Sequence, residues 1–282
     1  GHVVQIEADA KTTYEAYFRM QNAIVAAYAQ LREAYARERF GKSYSELVEE
    51  QPEGSKTVTL TTTVGLDAST KALTPTGVKT FAEGETMAVI YNNGTSKVKA
   101  VSHALEAGDI TNEGKSATFS FDLETPNTSV DVTYIYPAAM AGETGVDYSK
   151  LDSQDGTLAS LSSNLDLATQ TAAWEGTSLP AATLVNELAI LAITLKDSDG
   201  SNGLGNITGM TVSDGTNTYT VTPQAPATEL TVPVYVAIRP TSDATITVTA
   251  LTEGTKRYSK ILTGKTYAAS NGYDISWRME AW

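Results

Sequence analysis

The chain has 282 residues and a formal net charge of −13, which argues against nucleic acid and anionic membrane surfaces as partners, because both select clustered lysine and arginine. Cysteine is absent, so disulfides, thiolate catalysis and cysteine-based metal sites are excluded together. No apolar run reaches the ~18–20 residues of a membrane-spanning helix, no charged-then-apolar leader opens the sequence, and the threonine- and serine-rich, lysine-poor composition suits an exported protein whose signal is not in this sequence.

The first element is a helix over Lys11–Phe40. Tyr14, Tyr17, Phe18, Ile24, Val25, Tyr28, Leu31 and Tyr35 recur at three- and four-residue steps and form one apolar stripe. Alanine fills much of the rest, and Gly41 is a natural stop after the basic Arg37 and Arg39 of the last turn. The tyrosine-rich stripe suits packing on the protein's own body or an interface with a partner. A shorter helical piece over Tyr44–Glu50 ends at Pro52.

From Lys56 the helical period disappears. Thr57–Val64, Thr86–Tyr91, Ala117–Leu123 and Val130–Tyr136 read as strands rich in valine, threonine and aromatic residues. Turn clusters such as Asn92-Asn93-Gly94 and Asn112-Glu113-Gly114 separate them. In the first strand Val58, Leu60, Thr62 and Val64 alternate with Thr57, Thr59, Thr61 and Thr63, the pattern of a half-buried strand. Gly142–Gly176 is polar and weakly patterned, and is expected to be a long connection and a domain boundary.

A second strand set follows: Glu187–Leu195, Gly209–Ser213, Thr218–Thr222, Thr231–Ile238, Thr245–Leu251, Arg257–Leu262 and Tyr273–Met279. In the last, Tyr273, Ile275, Trp277 and Met279 alternate with Asp274, Ser276 and Arg278, so this strand lies in a sheet with one face on a core. Many short strands with Gly-bearing turns indicate β-sandwiches. The expected architecture is mostly β: a helical segment over residues 1–55, then two tandem sandwiches over 56–176 and 177–282.

The order of motifs along the β region resembles a known family. Phe81-Ala82-Glu83-Gly84-Glu85 leads into the strand ending at Tyr91. Val132-Thr133-Tyr134-Ile135-Tyr136-Pro137 and Val234-Tyr235-Val236-Ala237-Ile238-Arg239-Pro240 each close a strand at a proline. Leu262-Thr263-Gly264-Lys265-Thr266-Tyr267 then precedes the final strand. This succession, from about Lys56 to Met279, resembles the fimbrillin-like (Mfa-like) proteins of gut Bacteroides-type bacteria, which are subunits of type V pili.

The resemblance implies transthyretin-like, Greek-key sandwiches, export as a lipoprotein to the outer-membrane surface, trypsin-like maturation and assembly by strand exchange with other pilus subunits or with itself. Lys71 follows the first strand and is the processing site it suggests, with Arg37, Arg39 and Lys42 as competitors. The exchanged strands would be those carrying Val58, Leu60 and Val64, or Tyr273, Ile275, Trp277 and Met279. The N-terminal helix departs from the family pattern and, with the short C-terminal end, favours a tip, anchor or accessory subunit over a major stalk subunit.

Other readings remain open. A glycan-binding surface lipoprotein of the same fold would use Trp174, in the polar linker, to stack on sugar rings. A phage fibre or head protein would use the helix to trimerise. Catalysis is not expected: His2 and His103 are the sole histidines, and no Gly-x-Ser-x-Gly elbow accompanies His103, near Glu106 and Asp109. Asp197-Ser198-Asp199-Gly200-Ser201-Asn202 looks briefly like a calcium loop, but its glycine is misplaced and the closing glutamate is missing. No metal or cofactor site is expected.

Overall fold

A computed structural model describes residues 14–44, 57–67, 80–223, 233–253 and 256–282. Residues Gly1–Lys56 and Thr57–Trp282 form two separate compact units. In the first, α1 (Tyr14–Phe40) is the expected helix. The Gly41 N–H donates to the Arg37 carbonyl at 3.0 Å and closes its last turn. The chain then doubles back: the Tyr44 N–H donates to Glu33 Oε2 at 2.8 Å, and the Arg32 guanidinium lies over the Tyr44 ring. Val25, Tyr28, Leu31 and Tyr35 of the expected stripe are exposed. The side chains of Tyr14, Tyr17 and Phe18, and the piece over 45–50, fall outside the described residues.

The second unit is built from strands. β1 (Thr57–Leu66), β2 (Ala88–Asn92), β3 (Lys97–Val101), β4 (Ile110–Thr111), β5 (Ser116–Glu124) and β6 (Val132–Tyr136) come first. The two-residue β7 (Ser153–Gln154) precedes β8 (Ala168–Ala172), β9 (Ala182–Asn186), β10 (Ala189–Lys196), β11 (Ile207–Ser213) and β12 (Thr218–Val221). Then follow β13 (Val234–Ile238), β14 (Thr241–Thr252), β15 (Arg257–Tyr267), β16 (Asn271–Arg278) and β17 (Glu280–Ala281).

Eight strands form one sheet in the order β3-β2-β6-β8-β9-β1-β5-β4. It curls around a single core. β5 buries Ala117, Phe119, Phe121 and Leu123 from alternate positions, as period-two patterning requires, and they meet Val89 and Tyr91 of β2 and Val132, Tyr134 and Tyr136 of β6. Phe81 bridges the two arms of the curl. Its ring is edge-on to Phe119 of β5 at 5.5 Å and to Tyr136 of β6 at 5.2 Å, the geometry that aromatic quadrupoles favour.

A second core lies between a three-stranded sheet, order β13-β10-β16, and a six-stranded sheet, order β17-β15-β14-β11-β12-β7. β10 is central in the smaller sheet and buried at five consecutive positions from Ala189 to Ile193, so both its faces are covered and its sequence is a continuous apolar run rather than an alternation. The two cores meet at β2 and β6, whose Ala88, Ile90 and Ile135 belong to the second core while their neighbours Val89 and Tyr134 belong to the first.

The stretch 142–176 is not a bare connection. Short 3₁₀, α and π turns between Tyr148 and Leu165 carry Leu151, Leu161 and Leu165 into the second core. Gln154 stitches this segment to β13: its amide donates to the Ala237 carbonyl at 2.8 Å, and the Ala237 N–H donates back to Gln154 Oε1 at 2.9 Å. The chain then returns to the first core through β8 and β9, so strands of the eight-stranded sheet extend past residue 177.

Phe119 is completely buried between the arms of the curl. Phe119→Ala is expected to lower stability by about 3–5 kcal/mol, measured as a shift of the urea-unfolding midpoint followed by tryptophan fluorescence.

Candidate functional site

β1 is the first strand of its unit, yet it is an interior member of the eight-stranded sheet. Antiparallel pairing with β5 runs unbroken from Thr57↔Glu124 to Gly65↔Ser116. On its other side β1 pairs in parallel with β9 at Val64↔Ala182, Gly65↔Thr183 and Leu66↔Leu184. The inward set is the expected one: Val58 and Leu60 are half-buried, and Thr62 and Val64 are buried. Burying an aliphatic side chain contributes ~1.5–3 kcal/mol, so Leu60, Val64 and Leu66 make β1 a substantial part of the first core.

One buried polar contact fixes its register. Thr62 Oγ1 donates to the Pro180 carbonyl at 2.7 Å, and the Tyr134 hydroxyl of β6 donates to the same oxygen at 2.8 Å. A carbonyl has two lone pairs, so both bonds are satisfied at once. Burial pushes the Tyr134 phenol up to about 12, against a smaller opposing pull from Thr62. Burial also raises Tyr136, which donates to Glu85 Oε2 at 2.6 Å, and the nearby carboxylate adds to that rise.

On the outer face Thr59 donates to Asp122 Oδ1 at 2.6 Å across the β1–β5 pair, and His103 Nε2 lies 3.0 Å from Asp122 Oδ2. The Thr59 hydrogen bond, followed by that of His103, holds the Asp122 carboxyl below the usual aspartate range. His103 therefore pairs with Asp122 rather than with Glu106 or Asp109. Those two instead close a short turn, with the Glu106 N–H donating to Asp109 Oδ2 at 2.9 Å. An exposed His–Asp pair bonded to a strand threonine ties β1 to β5.

β16 carries the second set of expected exchange residues. It pairs in parallel with β10 along its whole length, from Ala189↔Asn271 to Lys196↔Arg278. Trp277 and Met279 are buried, and Tyr273 and Ile275 are half-buried against the second core. β16 forms one edge of the three-stranded sheet.

The remaining candidates fall elsewhere. Trp174 is a core residue, 1% exposed, packed with the first core. A ring so enclosed cannot stack on a sugar, so its expected glycan role is corrected: the polar composition around it hides a side chain that folds inward. Its Nε1 makes no hydrogen bond to a described residue, and it borders a polar cleft of about 370 Å³ with Asp131 and Glu175. Arg37 and Arg39 are exposed but lie within α1, where Arg37 pairs with Glu33 at 2.7 Å. Lys71 lies outside the described residues.

The Asp197–Asn202 loop closes on itself. Asp197 Oδ1 accepts from the N–H groups of Gly200 and Ser201 at 2.9 and 3.1 Å. A Cβ on Gly200 would lie 2.7 Å from Arg278 Nε, and bonds with Ser201 and Asp197, with a smaller contribution from the Arg278 charge, hold the Asp199 carboxyl below the usual aspartate range.

Neither a protein-family model nor a curated protein matches the chain. Solved structures do. A candidate cell adhesion protein from Bacteroides uniformis aligns over 79% of this chain and 96% of its own length, at 12% identity and a TM-score of 0.40. A fimbrial assembly protein from Parabacteroides distasonis aligns over 79% of this chain and 90% of its own, at 11% identity and a TM-score of 0.36. The minor pilin of Streptococcus agalactiae aligns over 79% and 96%, at 9% identity and a TM-score of 0.31.

The Tyr134 phenol links β6 to the loop that holds β1, and its ionisation gives a readout of that link. The unfolded chain loses this proton near 10 and the folded protein near 12. The native state thus binds more protons in that interval, and stability is complete below pH 10 and falls as pH rises toward 12. Two pH units correspond to ~2.7 kcal/mol. Urea unfolding of wild type and Tyr134→Phe at pH 8 to 12 is expected to show a shallower alkaline loss in the variant.

Proposed function

We propose that the chain is a non-enzymatic structural subunit of an extracellular bacterial pilus or fimbria, in a tip, anchor or accessory position, that assembles by β-strand complementation after proteolytic maturation at the cell surface. The observation that carries this is the place of β1. The first strand of the unit sits between β5 and β9 and supplies Leu60, Val64 and Leu66 to the first core. If β1 leaves, the unpaired N–H and C=O groups of β5 form a groove with a hydrophobic floor. A strand from a neighbouring subunit fills such a groove with backbone bonds, and its alternate side chains set the register.

Cleavage after Lys71 would sever β1 from the rest of its unit while leaving it seated. Exchange then needs only that the severed strand be displaced. β16, paired along its full length with β10, serves more naturally as the closing strand of the second core than as a donor. The partners on this view are other pilus subunits or further copies of the chain.

Limited trypsin digestion with mass spectrometry and negative-stain microscopy tests the proposal. The expected outcome is a cut in the Arg37–Lys71 interval, followed by rods or oligomers that retain residues 80–282. Clean cleavage there that leaves a stable monomer, with the 57–71 fragment still bound after prolonged incubation with excess cut protein, contradicts it.

A further inference from the structure

The outer face of the six-stranded sheet carries a groove of about 280 Å³ with a mixed lining of threonine, leucine, arginine and tryptophan. Its position follows from register. Thr211 of β11 lies opposite Thr220 of β12 on one side and Thr249 of β14 on the other. The inward partners Met210, Val212, Val248 and Ala250 are buried in the second core, so these threonines point outward. Thr211 and Thr249 share a hydroxyl–hydroxyl bond of 2.6 Å. In the next row Leu251 pairs with Arg257, and the Trp282 N–H donates to the Arg257 carbonyl at 3.0 Å.

The member of that next row on β11 is Gly209, opposite Leu251. A side chain there would meet no atom within 4 Å, and the groove opens over this missing side chain. Glycine within a strand weakens it, and it recurs where a bulge lies or where a ligand must approach the backbone closely. The bulge is present, since the register of β11 against β14 shifts between Ile207 and Gly209, and the open space over Gly209 leaves its backbone accessible. At the end of the groove Trp282 is 72% exposed, and the Arg257 guanidinium lies 5.8 Å from its ring. The main-chain bond anchors the Trp282 backbone and the cation–π contact orients its exposed indole.

We propose that this groove is a saccharide-binding site. An indole presents an apolar face to the C–H face of a sugar ring. The threonine hydroxyls donate to and accept from ring hydroxyls, and Arg257 supplies fixed donors at the mouth. Among the described residues no aspartate or glutamate side chain lines the groove. The volume is just below the ~300–1,000 Å³ of drug-sized ligand sites, which suits one sugar residue or the end of a chain. The proposal is independent of pilus assembly, because it involves neither β1 nor the first core.

The test uses the full chain on a printed array of neutral and acidic oligosaccharides, then fluorescence titration with the oligosaccharide that binds best. Trp174 and Trp277 are buried, so a blue shift and protection from acrylamide quenching report on Trp282. Gly209→Phe fills the groove from an open position, and Trp282→Ala removes the platform from an exposed one, so both should leave the unfolding midpoint within a few degrees of wild type. Each is expected to weaken binding at least about tenfold, and Arg257→Gln less. A wild-type chain that binds no saccharide on the array overturns the proposal, as does binding that both variants leave unchanged.

Discussion

The eight-stranded sheet depends on one strand for its closure. β1 joins β5 and β4 to the other five strands of that sheet, and beyond it the two arms of the curl are tied by the His103 N–H on the Ser120 carbonyl at 2.9 Å, by the Glu124 N–H on the Tyr91 hydroxyl at 2.8 Å and by the ring contacts of Phe81. The constraint is topological as much as energetic. β1 enters from the start of its unit, pairs antiparallel with β5 and parallel with β9, and is fixed by the Thr62 hydroxyl on the Pro180 carbonyl. A one-residue slip would turn Val58, Leu60 and Val64 to solvent and put the alternate threonines inside. The proposed exchange asks that a neighbour's strand carry the same alternation.

The two cores are coupled through β2 and β6. Ile90 and Ile135 face the second core while Val89 and Tyr134 face the first, and Tyr134 also reaches the carbonyl that holds Thr62. The β1 position and the shared strands are thus linked through a packed contact and one hydrogen bond. The outward face of the six-stranded sheet lies beyond the second core, so the proposed groove and the proposed exchange at β1 use different parts of the unit.

Much of this fold can be read in the sequence, and the exceptions have physical reasons. β1, β5, β14 and β16 are long and alternate apolar with polar residues, so their inward sets are plain. β8 and β9 are not, because a five-residue strand that buries Ala168, or Ala182, Leu184 and Asn186, presents too little apolar contrast to stand out. Leu151, Leu161, Leu165 and Trp174 fall in turns without a fixed period, so a polar average conceals four buried side chains. Of the candidate site, the alternation of β1 was visible. The shared Pro180 acceptor, the Thr59–Asp122–His103 contacts and the groove over Gly209 were not, since each depends on which strands become neighbours across long stretches of chain.

The central claim is that the β1 position is a replaceable slot, and capture of a peptide in solution tests it most directly. Protein cut after Lys71 is incubated with a fluorescent peptide of sequence Thr57–Leu66 and followed by anisotropy and native mass spectrometry. A replaceable slot predicts uptake of one peptide per chain with release of the native fragment. Uptake should be lost when Val58, Leu60 and Val64 of the peptide are changed to aspartate. No uptake over days, with the native fragment retained, would contradict it.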